Sequence, residues 1–68
     1  MYDYKYLSKE LRKNLIITQS ELAEMLGVSF ASVNRWENGR YEPTTKAKRK
    51  LVELCRKNKI QMNPKEEE

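Results

Sequence analysis

Residues 18–40 read TQSELAEMLGVSFASVNRWENGR, and they encode two short helices with a tight link between them. Thr18 is followed three residues later by Glu21, the spacing at which a side chain from each end satisfies two unpaired backbone N–H groups, so a helix begins at Gln19. Leu22, Ala23 and Leu26 give that helix one apolar face, and Gly27 supplies the left-handed position that ends it. Val28 then follows as an apolar contact just past the cap. Ser29 is a good N-cap for a second helix over residues 30–38, stopped by Gly39. A link this short, pivoting on glycine, fits two crossed helices better than two arms of a long bundle.

A rotation of about 100° per residue assigns the faces of the second helix. Val33 and Trp36 share the side that points to a core. Ala31, Asn34, Arg35 and Asn38 fall on the opposite side with Phe30 on the flank, and Glu37 lies only about 70° from the core direction. The outward face therefore holds no acid. A helix that shows Arg and Asn outward and begins with small residues has the shape and chemistry to enter a major groove, as the second helix of a helix-turn-helix does. An ordinary solvated helix face has the same composition, so composition leaves both readings open.

Outward from this segment, Tyr4, Leu7, Leu11 and Leu15 recur at three- and four-residue spacings and predict a first helix over residues 3–14, with Asp3 favouring its N-terminus. Pro43 and Thr44 mark a new start after residues 40–42, and Ala47, Leu51, Leu54 and Cys55 form the inner face of a fourth helix. Lys46, Lys48, Arg49 and Lys50 crowd its first turns as either a solvated face or a phosphate contact. There is no strand pattern and no repeat. The fold class expected is all-α, a compact four-helix domain over residues 1–58, with a flexible acidic tail over residues 59–68.

Length and composition narrow the function. Sixty-eight residues make one small domain, near the lower limit for a core that folds without staples. With no His and a single Cys55, the chain has neither a disulfide framework nor the donor set of a zinc cluster, so no metal or other cofactor is expected. Cys55 on an apolar helical face reads as a buried structural thiol. An enzyme is not expected, because no credible base stands beside a nucleophile and a normal substrate pocket has no room. The longest apolar run, Leu15, Ile16 and Ile17, is too short for a membrane span or signal peptide, and the absence of disulfides suits a cytoplasmic protein. Residues 1–64 carry thirteen Lys or Arg against seven Asp or Glu, a balance of +6 that the terminal Glu66, Glu67 and Glu68 mask in the overall +4. A basic body suits a polyanionic partner, although charge alone does not separate DNA from RNA or anionic lipid.

Thr18-Gln19 with Glu21-Leu22-Ala23, Leu26-Gly27-Val28-Ser29, Ser32-Val33, Trp36-Glu37-Asn38-Gly39-Arg40 and Pro43 together resemble the repressor and Cro helix-turn-helix family, the XRE family, over residues 5–57. The resemblance implies a compact bundle of four or five helices that binds operator DNA, most often as a symmetric dimer and as a transcriptional regulator, here a repressor. It assigns base contacts to Phe30, Ala31, Asn34 and Arg35, with Arg35 suited to the O6 and N7 of guanine and the apolar Phe30 and Ala31 suited to thymine methyls. It assigns backbone contacts to Gln19, at the dipole of its helix N-terminus, and to Ser29, Ser32, Asn38 and Arg40. It also implies a pairing of Glu37 with Arg12, beside a structural Trp36. A dimer would use the fourth helix and residues 59–62, weakly or only on double-stranded DNA. A second function, from another class, is a protein-interaction module of the same fold, such as an antitoxin or a complex subunit; the outward Phe30 favours it. Salt dependence of duplex binding separates the two.

Overall fold

The computed structural model describes residues 2–61. Four helices, α1 (Tyr4–Leu15), α2 (Gln19–Leu26), α3 (Phe30–Glu37) and α4 (Thr45–Lys57), follow one another without a strand among these residues. Each opens on a short polar cap: Asp3 accepts from Tyr6 N, Thr18 from Glu21 N, Ser29 from Ser32 N and Thr44 from Ala47 N. At Thr18 the box is closed, since the Glu21 carboxylate accepts the Thr18 N–H at 2.8 Å. The boundaries differ from the sequence expectation by a residue: α1 runs one further, to Leu15, and Asn38 is the cap of α3 rather than its last turn.

Each of the four helices is followed by a residue at positive φ, and the next N–H reaches five residues back. Gly27, with φ 73°, donates to Glu24 O at 3.2 Å while Val28 N reaches back to Ala23 O at 3.0 Å. The same crossed pair recurs at Gly39 and Arg40, whose N–H groups meet Trp36 O and Arg35 O. These two ends were legible because glycine carries no Cβ penalty at positive φ. The other two were not: Ile16 (φ 56°) ends α1 and Lys59 (φ 55°) ends α4, with Ile17 N donating to Arg12 O and Ile60 N to Cys55 O. The residue just past the left-handed position is apolar in three of these ends, and Ile17, Val28 and Ile60 all pack against the core. Ile60, inside the tail expected over residues 59–68, packs against the core; residues 62–68 of that tail lie outside the described residues.

The core is built from Leu7 and Leu11 of α1, Leu22, Ala23 and Leu26 of α2, Val33 and Trp36 of α3, and Ala47, Leu51 and Cys55 of α4. Helix α1 lies against both α3 and α4, and α2 against α3 and more lightly against α4. Leu54, expected inside, is half-buried at the margin. Ser8 breaks the apolar stripe of α1 yet is fully buried, because its hydroxyl has a carboxylate to meet on α3.

Candidate nucleic-acid interface

The inner face of α3 fixes what the outer face can offer. Val33 and Trp36 are buried and Glu37 is only 4% exposed, so the helix is clamped along one side. Phe30, Ala31 and Arg35 are all exposed on the other, Phe30 at 51%. Ser29 and Ser32 stand at the N-terminal end, where the Ser29 hydroxyl accepts from Ser32 N at 3.1 Å and lies 3.0 Å from the Ser32 hydroxyl. These two side chains therefore share one cap.

Glu37 is deeper than the helical wheel places it, because α1 and α2 close over it. Arg12 grips the carboxylate with two prongs, Nε to Oε2 at 2.9 Å and Nη2 to Oε1 at 2.6 Å. Ser8 Oγ donates to Oε2 at 2.5 Å, and Gln19 Nε2 donates to Oε1 at 3.0 Å. Burial pushes the Glu37 carboxyl up, but the hydrogen bonds from Arg12, Ser8 and Gln19, with the Arg12 charge, outweigh it and hold the group below the usual carboxylate range. The same hydrogen bond raises Arg12 above its ordinary value. The carboxylate thus stays ionised inside the domain and joins three helices.

Gln19 and Asn34 are not independent surface groups. Gln19 Oε1 accepts from Asn34 Nδ2 at 3.1 Å, and Asn34 Oδ1 accepts from Asn38 Nδ2 at 3.1 Å. Asn34, placed outward by the wheel, is half-buried because Gln19 at the start of α2 leans on it. The structure therefore brings Gln19, Asn34 and Asn38 into one connected row, and it leaves Phe30, Ala31 and Arg40 outside that row.

Two contributors to this surface carry no periodic signal and were missed. The Arg35 guanidinium carbon sits 5.4 Å from the centre of the Tyr41 ring, an approach across the turn after α3 that spacing on a helix cannot show. Tyr41 is 63% exposed, so the pair lies on the surface. Lys5 comes from α1: a Cβ added to Gly39 would lie 3.7 Å from its ammonium nitrogen, which puts a cation over the turn that leads to Arg40. Within the basic cluster of α4, Lys48 is occupied by Glu42 at 3.0 Å and by the Tyr4 ring at 5.0 Å, whereas Lys46, Arg49 and Lys50 are exposed.

No helix among the described residues is long and apolar enough to cross a membrane. A family model described as helix-turn-helix matches residues 9–59, well over half of the chain. Neither the curated proteins nor the solved structures yield a match.

Proposed function

The chain belongs to the helix-turn-helix family of repressor and Cro (XRE) type, a family of DNA-binding regulators, and on that premise we propose that it binds double-stranded DNA sequence-specifically and represses transcription. The observation that carries this reading is the two-faced α3, held by Val33, Trp36 and Glu37 and bare at Phe30, Ala31 and Arg35. The N-terminus of α2 crosses the sugar-phosphate backbone with Gln19 nearest a phosphate, and residues 30–35 enter the major groove. Arg35, steadied on Tyr41, is the strongest base reader, since a guanidinium can meet both acceptors of guanine in one plane. Asn34 reaches a base edge only with the N–H that its partners leave over. Ser29, Ser32, Asn38 and Arg40, with Lys5 above the Gly39 turn, hold the backbone and set register. No cofactor and no catalysis enter this function. Two copies on a palindrome would place their α3 helices about one helical turn apart, roughly 34–36 Å.

Selection of bound sequences from a random duplex pool tests the proposal. An enriched motif, with affinity falling steeply as salt rises, is the expected result. Absence of enrichment, together with no duplex binding at low salt, would reject it in favour of the protein-interaction module that the exposed Phe30 favours.

A further inference from the structure

The amide groups on the surface of α2 and α3 are tied to the buried ion pair in a definite direction. Two oxygens of Glu37 receive four hydrogen bonds, from Ser8, from two nitrogens of Arg12 and from Gln19. An ionised carboxylate only accepts. The end of Gln19 that meets it must therefore be Nε2, which turns Oε1 toward Asn34. That oxygen takes an N–H from Asn34 Nδ2, which turns Asn34 Oδ1 toward Asn38, and this oxygen takes an N–H from Asn38 Nδ2. Burial falls along the same path, from the buried Glu37 through half-buried Gln19 and Asn34 to exposed Asn38.

A row of neutral amides can run in either direction with the same number of hydrogen bonds, because each amide has a donor end and an acceptor end. A fixed charge at one end removes that degeneracy. We infer that Glu37, without reaching the duplex, is a positioning residue for DNA recognition: its carboxylate fixes the orientation of the Gln19, Asn34 and Asn38 amides. One N–H of each amide is spent within the row. What the surface presents is then one remaining N–H on each of the three nitrogens and the carbonyl oxygen of Asn38. Reversal of the row would exchange donors for acceptors opposite the same phosphates and bases, so orientation bears directly on recognition.

This inference rests on the DNA-binding reading, and the experiment separates the two. The first measurement uses the free full-length protein: side-chain NH2 resonances of Gln19, Asn34 and Asn38 in wild type, Glu37→Gln and Ser8→Ala. Glutamine at position 37 can donate or accept, so the three pairs of resonances should move toward averaged values in Glu37→Gln. Ser8→Ala loosens the same carboxylate without touching the row and should leave them in place. Unchanged resonances in a folded Glu37→Gln overturn the inference. If Glu37→Gln does not fold, Gln19→Ala cuts the row one link further out while Arg12, Ser8 and Glu37 stay in contact; unchanged Asn34 and Asn38 resonances there overturn it equally.

The second measurement is affinity for a selected duplex. Asn38→Ala is expected to cost about tenfold in the wild-type background and about threefold or less where Glu37→Gln or Gln19→Ala has already released the row. Equal losses in all backgrounds count against the coupling. Failure of the wild type to bind any duplex removes the DNA reading itself and this role with it, whereas duplex binding with unresponsive amides removes the positioning role alone.

Discussion

Arg12 and Glu37 stand 25 positions apart in the chain and meet through two hydrogen bonds, at 2.9 and 2.6 Å, with the carboxylate almost wholly enclosed and the guanidinium partly open to solvent. The contact holds α3 at the angle that leaves its opposite face bare. Loss of Arg12 would strand an ionised carboxylate in the interior, and that penalty exceeds what the pair itself contributes. Arg12→Ala is therefore expected to lower stability by about 2–4 kcal/mol, the lower end reflecting the solvent around Arg12, which is a fall in Tm of roughly 10–20 °C for a domain of this size. Melting followed by circular dichroism checks it, and an unchanged Tm would refute the structural weight given to the pair.

The same carboxylate sets an acid limit. Glu37 is held below its ordinary value of 4.5 in the folded state, so its stabilisation is present above about that pH and is lost as pH falls through the depressed folded value. Urea midpoints measured from pH 7 downward should show the wild type ahead of Glu37→Gln above pH 4.5, with the gap closing below it. A gap that stays constant down to pH 2 would be inconsistent with this linkage. Arg12 is raised from an already high value and adds nothing to the slope in this range.

Ile16 combines a positive φ of 56° with 88% exposure, so a β-branched residue occupies a left-handed position without gaining burial. Glycine removes the clash and keeps the backbone pair that ends α1. Ile16→Gly is expected to raise stability by about 1 kcal/mol, or Tm by roughly 4–8 °C, even after the added freedom of the unfolded chain is counted. A lower Tm would show that the exposed side chain has a contact worth more than the strain.

Cys55 lies fully buried beneath α1, with Sγ 3.9 Å from Leu7 O, and burial pushes its thiol up to about 11. At pH 8 the native protein should react with a thiol reagent at least about a hundredfold more slowly than the same protein in denaturant, since reaction requires opening of the core. Rapid titration of one thiol in the native state would contradict the packing.

The proposed reader and anchor should fail differently. Arg35→Ala is expected to cost about 1–3 kcal/mol on the selected duplex and little on random DNA, and Tyr41→Ala should reproduce part of that loss while Tyr41→Phe, which keeps the ring face, does not. Arg40→Ala should weaken both duplexes alike and reduce the salt slope by about one. Equal losses on both duplexes for all of these variants would remove Arg35 from base readout.

The helices, two of their glycine ends and the two-faced character of α3 are legible in local pattern alone. Those features depend on neighbours within a turn or two: Thr18 with Glu21, Ser29 with Ser32, Gly27 and Gly39 at positive φ, and apolar residues at helical spacing. Family resemblance added the Arg12–Glu37 contact, which periodicity alone left at a partly buried acid in need of a partner. The rest emerges from the packing of the helices. Ser8 looks out of place on an apolar stripe until α3 brings Glu37 to it, and Ile16 and Lys59 take left-handed positions because Ile17 and Ile60 are drawn onto the core. Gln19 and Asn34 look like free surface amides until the crossing of α2 over α3 joins them, and Tyr41 reaches Arg35 only across a turn. One cause is common to all of these. A local pattern states which face of a helix is apolar, whereas hydrogen-bond orientation and the side chains that bury a charge are set by contacts between segments distant in the chain, and those exist only after the helices have packed.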